Sequence, residues 1–119
     1  MKLDYKETIR YCLEKKASFE STPFGAGVPV IKVVNKIFAL FSEDVDPVRM
    51  NLKCDPEDAQ ALRKEYDAVT PGYHMNKQHW NSVYLDGSIP DKVIREMIDH
   101  SYDLVVKSLK KVDRDKNYL

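Results

Sequence analysis

Two stretches of the chain carry apolar residues at the spacing of an amphipathic helix. In the first, Tyr5, Ile9, Cys12 and Leu13 share one face, which predicts a helix from about Tyr5 to residue 16. The second stretch carries a longer stripe toward the C-terminus and predicts a helix that ends near residue 110. Its apolar face is formed by Ile94, Ile98, Ser101, Val105 and Leu109.

Between these helices the pattern changes to short runs rich in β-branched and aromatic residues. Residues 30–34 and 37–41 flank the dipeptide Asn35-Lys36, which predicts a β-hairpin. Asn35 is the residue of this turn best able to take a left-handed backbone. Residues 48–53 alternate in part and predict a third strand.

A further helix and a final pair of strands complete the predicted order. Asp55 can cap a helix that has Pro56 in its first turn. Residues 73–75 and 81–85 predict the last strand pair. The resulting order, α-β-β-β-α-β-β-α, is typical of a two-layer α+β domain. We expect an antiparallel sheet of about five strands, with the helices packed on one face, in one domain over residues 1–119.

Charge and hydropathy narrow the classes of function. No run approaches the roughly 18 apolar residues of a membrane span, and residues 1–7 show no signal peptide. We therefore expect a cytoplasmic protein without a membrane segment, and a monomer. The net charge is zero, so DNA binding requires positive charge gathered on one face. Residues 107–116 carry a local balance of +3.

The segment 71–83 differs most from an ordinary surface loop. It combines a Pro-Gly turn with two histidines, a lysine, two asparagines and the only tryptophan of the chain. It leads directly into a predicted strand, and loops held by a sheet are common positions for binding residues. The composition favours a binding surface over a catalytic site.

Several motifs together resemble the YjbR/MmcQ family of small bacterial proteins. They are Pro23-Phe24-Gly25, Lys36-Ile37-Phe38-Ala39-Leu40, Leu52-Lys53-Cys54-Asp55-Pro56, Leu62-Arg63, the segment 71–83 and Ser101-Tyr102 with Leu104-Val105. The resemblance covers nearly the whole chain; Asn35 stands where the family usually has glycine. It implies a fold similar to the frataxin relative CyaY and to secretion chaperones, and a DNA-binding role through a double-wing arrangement. It implies no enzymatic activity.

Two functional hypotheses and one structural hypothesis follow. In the first, basic hairpin tips contact DNA phosphates weakly and in a salt-dependent manner, with little base readout. Its candidate residues are Lys36, Lys53, Lys77, His79 and Trp80.

The second hypothesis is a ligand- or protein-binding module of the secretion-chaperone kind, with a pocket at the Tyr73–Trp80 cluster. Its candidate ligand-binding residues are Tyr73, His74, Asn76, Asn81 and Arg63, and Tyr73, His74, His79 and Trp80 are expected to line the pocket. For Arg63, a structural role, in which it pairs with an acidic residue or orients this loop, is favoured over ligand contact. In the structural hypothesis, Trp80 anchors the final hairpin against the long helix.

The remaining residues give no metal, cofactor or catalytic motif. His74 and His79 have no third ligand close in sequence. Cys12 and Cys54 lie far apart, which favours buried thiols. Because acidic and basic residues mix on the first helix, the residues do not support iron binding of the frataxin type. We expect a non-enzymatic protein without metal or cofactor.

Overall fold

The computed structural model of this protein describes residues 4–119. Residues 1–3, which belong to the N-terminal segment predicted to lack a signal peptide and to the predicted domain, lie outside the described part. In chain order the elements are α1 (Tyr5–Leu13), β1 (Ser18–Ser21), β2 (Val30–Val33), β3 (Lys36–Ser42), β4 (Arg49–Lys53), α2 (Pro56–Glu65), β5 (Val69–Pro71), β6 (Trp80–Tyr84), α3 (Asp91–Ser108) and α4 (Lys111–Lys116). Within the described residues, no helix combines the length and apolarity needed to cross a membrane.

The six strands form one antiparallel sheet in the order β1-β2-β3-β4-β6-β5. The helices pack on one side of it, so the predicted α+β class and two-layer arrangement are confirmed. The sheet has one strand more than expected, because β1 was not predicted. This edge strand is polar and half exposed, and it lacks the apolar alternation that marks a strand in the sequence.

Two other element predictions are wrong in position. The first helix ends at Leu13 rather than near residue 16, because the chain turns at Ala17, whose φ is +62°. The strand expected at residues 73–75 is a turn, and β6 pairs instead with β5. β5 is three residues long and ends in Pro71, so its pattern is too short to identify. The short helix α4 was also not predicted.

The hairpin between β2 and β3 has the predicted position but another turn geometry. Val34, not Asn35, takes the left-handed backbone, with φ of +59°. A positive φ at the first of two central residues is the pattern that glycine usually satisfies in a hairpin. For a β-branched residue this conformation is unfavourable. The prediction for Asn35 was wrong. Asparagine tolerates a positive φ, but this turn type places the positive φ at the first central residue, which is Val34.

The helix starts follow from local chemistry. Asp4 accepts a hydrogen bond from the backbone N–H of Glu7 and caps α1. Asp55 accepts one from the N–H of Glu57 and caps α2, with Pro56 at the first position, as predicted. The predicted stripe of α3 is buried along its whole length, from Ile94 to Leu109.

A β-bulge lies at the centre of the sheet, beneath α3. Ile31 pairs with Ala39 and Lys32 pairs with Ile37, so Phe38 is an extra residue on β3. Its ring is fully buried and meets the ring of Tyr102 edge-on, with 5.2 Å between the centroids.

Next to the bulge, a helix side chain connects two strands. The fully buried Ser101 hydroxyl donates to the Phe38 carbonyl at 2.6 Å and accepts from the Lys53 N–H at 2.9 Å. Regular pairing of β3 with β4 ends at Ala39 and Leu52, so the hydroxyl continues the connection one residue further. This contact fixes α3 on the sheet.

We expect Ser101→Ala to lower the free energy of unfolding by about 2–4 kcal/mol, because two buried backbone groups lose their partner. Urea unfolding measures this loss. Ser88→Ala, in an exposed turn, is the control and should cost less than about 1 kcal/mol. A loss of that small size for Ser101→Ala would contradict the bridging role.

Candidate functional site

One end of the sheet brings together most of the predicted binding residues. β3 begins at Lys36, β4 ends at Lys53 and β6 begins at Trp80, which pairs with Lys53. Because the strands are antiparallel, these termini and the turn at residues 34–35 lie at the same end. The sequence could not show this, since strand order is a tertiary property.

The loop of residues 72–79 folds tightly against the start of β6. The side chain of Asn76 accepts hydrogen bonds from the N–H groups of Gln78 and His79, and its carbonyl accepts from the N–H of Trp80. A Cβ on Gly72 would lie 2.8 Å from the Cβ of Trp80. Glycine is therefore required where the loop meets the strand.

Tyr73 lies on the sheet face away from the helices. Its N–H donates to the Ser82 hydroxyl at 2.9 Å, and its carbonyl accepts from the Asn51 amide. The Arg49 guanidinium lies 4.2 Å from the centre of its ring. His74, with φ of +57°, places its ring 4.0 Å from the same ring. Tyr73 and His74 thus form one exposed aromatic pair.

Asn81 and Arg63 belong to the opposite face. Asn81 follows Trp80 and precedes Ser82 on β6, so its side chain points toward the helices. It is 2% exposed and accepts a hydrogen bond of 2.7 Å from Arg63 Nε. Arg63 Nη2 also donates to the carbonyls of Lys77 and Trp80. The five predicted ligand-binding residues are therefore divided between two faces and line no common pocket.

The predicted lysines make contacts of their own. Lys36 Nζ donates to the Ser108 carbonyl at 2.9 Å and so lies against the end of α3. Lys77 Nζ donates to the carbonyl of Gly72 in its own loop. Lys53 is half-buried and lies at a cleft between α2 and α3, not at the tip of a hairpin.

Trp80 is half-buried and lies outside the group of side chains that form the core or pack against it. The structure therefore gives no support to the hypothesis that Trp80 anchors the hairpin against the long helix. His79 is exposed, and its carbonyl accepts from the N–H of Cys54 at 2.7 Å. That bond places the loop beside the start of α2, where Asp55 and Glu57 add negative charge.

The C-terminal basic segment lies next to Lys36. The bond from Lys36 to Ser108 places the hairpin turn beside residues 107–116. Lys16 joins the same region, because its Nζ donates to the carbonyl of Tyr118. We call this region the basic end; its cationic side chains belong to Lys16, Lys36, Lys107, Lys110, Lys111, Arg114 and Lys116. Sequence reasoning noted the charge of residues 107–116 but did not place it at the site.

The opposite end of the sheet is acidic. The loop between β3 and β4 carries Glu43, Asp44 and Asp46. The hydroxyl of Tyr5 donates to Glu43, which brings the start of α1 and the carboxylate of Asp4 to the same end. In this chain of zero net charge, one group of carboxylates thus lies at the end of the sheet away from Lys36, while the acidic start of α2 lies at the same end as Lys36.

The described residues contain no cluster of three or more histidine, cysteine or acidic side chains placed to hold a metal ion. The two cysteines are buried and not joined in a disulfide. Burial raises the pKa of the Cys12 thiol to about 12 and that of the Cys54 thiol to about 11. Both thiols are therefore protonated at neutral pH and are poor nucleophiles.

We expect Cys12 and Cys54 to react with a thiol reagent at least about 100-fold more slowly in the folded protein at pH 7.5 than in denaturant, where thiol pKa values return to about 8.5. A colourimetric disulfide-exchange assay measures both states in one sample. Rapid reaction of one equivalent in the folded protein would contradict the buried, protonated state.

A second prediction concerns the contacts of Arg63. Arg63→Ala should lower the free energy of unfolding by about 1.5–3 kcal/mol, because charged hydrogen bonds to Asn81 and the loop are lost. Hydrogen exchange should accelerate at the amides of residues 76–80. Lys64→Ala, at the adjacent exposed position, is the control. Unchanged exchange in the loop would contradict the positioning role of Arg63.

Comparison with known proteins places this architecture among relatives. The YjbR family model matches residues 13–104. Protein YjbR of Escherichia coli K12, described as uncharacterised, is 38% identical over 103 residues, which is 87% of each chain. Protein YbdF of Escherichia coli O157:H7, also described as uncharacterised, is 42% identical over 94 residues, covering 79% of this chain and 77% of YbdF.

Two solved structures share the fold. A Deinococcus radiodurans protein with the domain DUF419 superimposes with a TM-score of 0.89 at 36% identity, over 98% of this chain and 88% of its own. A Pseudomonas syringae protein superimposes with a TM-score of 0.75 at 28% identity, over 86% of this chain and 98% of its own.

Proposed function

Since this chain belongs to the YjbR family, we propose that it is a non-enzymatic DNA-binding protein that contacts phosphates through the basic end. The supporting observation is the hydrogen bond from Lys36 to the carbonyl of Ser108. It joins the hairpin turn to the basic C-terminal segment and makes one cationic surface of two sequence regions. Phosphate contacts of this kind hold DNA without reading its sequence.

The position of the acidic loop between β3 and β4 makes binding compatible with zero net charge. Attraction to phosphate acts over about a Debye length, which is about 8 Å at physiological ionic strength. The acidic loop at residues 43–46 lies at the other end of the seven-residue strand β3, which is more than 20 Å long at about 3.4 Å per residue. Its repulsion is therefore screened at the basic end.

Within the proposed surface, the two halves contribute unequally. The side containing Lys36 and residues 107–116 carries five basic and two acidic residues in its C-terminal segment alone. On the side of the loop of residues 72–79, Lys77 donates a hydrogen bond to the carbonyl of Gly72, and this loop lies beside the acidic start of α2. We therefore assign the main phosphate contacts to the first side, with His79 and Trp80 at its border.

The experiment is a titration of labelled duplex and single-stranded DNA, followed by fluorescence anisotropy at several salt concentrations. The test variant is Lys110→Gln with Lys111→Gln. The control is Lys64→Gln with Lys92→Gln, which removes the same charge from exposed positions away from the basic end. We expect the test variant to weaken binding on the order of tenfold at low salt and to reduce the salt slope by about 2.

The control variant should bind within about twofold of the unchanged protein, since its lysines contact no phosphate. Equal losses in both variants would show a general charge effect and reject the basic end as the contact surface. The absence of saturable binding at low salt up to about 100 μM protein would reject DNA binding altogether, because non-specific affinities fall within that range.

A further inference from the structure

A cleft of about 270 Å³ lies between α2 and α3 on the helix side of the sheet. Its floor is formed by Leu52, Asn81 and Val83 from the two neighbouring strands β4 and β6. Tyr73, His74, His79 and Trp80, for which a pocket was predicted from the sequence, do not line it. The cleft is therefore separate from both the Tyr73–Trp80 cluster and the basic end.

The inner surface of the cleft is mainly apolar. α2 contributes Ala61 and Leu62 to one wall, and α3 contributes Val93 and Met97 to the other. The buried amide of Asn81 is held by Arg63, so the floor has a fixed shape. Such a surface favours a ligand with an apolar body.

The rim of the cleft is acidic. Asp58 and Glu65 stand on the α2 side and Glu96 stands on the α3 side. Among the described residues of the lining, Lys53 is the one lysine or arginine, and Lys92 Nζ lies 4.0 Å from Glu96 Oε1, so the three carboxylates outnumber the lysines nearby. His100 Nε2 lies 3.7 Å from Asp58 Oδ2 and accepts from the N–H of Asp55, which closes one end. A positively charged group at the rim would meet an excess of negative charge.

The size of the cleft suits a compact molecule. Its volume of about 270 Å³ is close to the lower end, about 300 Å³, of pockets that hold small ligands.

We propose that the cleft between α2 and α3 is a binding site for a small organic cation, whose apolar body rests on Leu52, Val83 and Met97 and whose ammonium group lies between Glu65 and Glu96. The inference does not depend on DNA binding. It places a ligand site on the face of the sheet opposite to Tyr73.

The first test uses 3-phenylpropylammonium as the cationic probe and 3-phenylpropanol as a neutral probe of similar shape. Both are titrated into protein labelled with ¹³C at the methionine methyl groups, and Met97 is followed by NMR. We expect saturable shifts of Met97 with the cation and affinity for the alcohol that is at least about fivefold weaker. Equal affinities would overturn the charge assignment, and absence of saturable shifts with either probe up to about 10 mM, beyond the range of weak specific binding, would overturn the site.

The second test changes the cleft itself. Ala61→Phe adds a ring at an exposed helix position that lines the cleft, whereas Gln60→Phe adds the same ring at an exposed neighbour that does not. We expect loss of binding only for Ala61→Phe, with both variants equally stable in urea. Retained affinity in Ala61→Phe would overturn the proposed position.

A charge variant completes the design. Glu65→Gln with Glu96→Gln should weaken binding of the cationic probe by about five- to tenfold. Each exposed carboxylate is expected to contribute about two- to fivefold to the affinity. The control, Glu20→Gln with Asp103→Asn, removes the same charge elsewhere and should leave affinity unchanged. Binding of a lysine-containing apolar peptide in the cleft without any binding of the small probe would overturn the small-molecule assignment.

Discussion

The arrangement of the whole domain depends on one buried hydroxyl group. Ser101 on α3 bridges β3 and β4 just beyond the end of their regular pairing, beside the bulge that Phe38 makes in the pairing of β2 with β3. Where strand pairing ends, backbone groups lack ladder partners, and a buried group without a partner is costly. The helix supplies the missing partner and is thereby fixed in rotation and height. Once α3 is fixed, its C-terminus must lie beside Lys36 and its N-terminal half must face α2.

Those two consequences produce the two surfaces of interest. At its C-terminus, α3 delivers basic residues to the turn between β2 and β3. In its N-terminal half, it stands apart from α2 and leaves the cleft open above Leu52 and Val83. A single helix therefore borders both surfaces, although they differ in chemistry: one is cationic and exposed, and the other is apolar with an acidic rim.

The sequence predicts those parts of the fold that local chemistry determines. The stripe from Ile94 to Leu109 and the cap at Asp55 with Pro56 follow from spacing and from helix-end chemistry, and both are found in the structure. β1 could not be predicted, because a polar edge strand owes its conformation to its neighbour rather than to its own residues. The positive φ of Val34 is likewise imposed by the strands on either side.

The candidate site was also predictable only in part. Lys36 and the loop up to Trp80 were found from turn signals and composition. Their proximity to residues 107–116 was not, because it depends on the direction and length of α3 across the sheet. Nor could sequence reasoning show that Asn81 and Tyr73 face opposite sides, since the predicted strand at residues 73–75 had the wrong position.

The two outer strands of the sheet limit how this domain can associate with other chains. β1 has four residues and β5 has three, the last of them Pro71, which has no N–H to donate. Growth of a sheet by addition of a strand from another molecule needs a long edge of free backbone donors and acceptors. These edges offer few such groups. Assemblies of this domain are therefore expected to form through side-chain surfaces rather than through extension of the sheet.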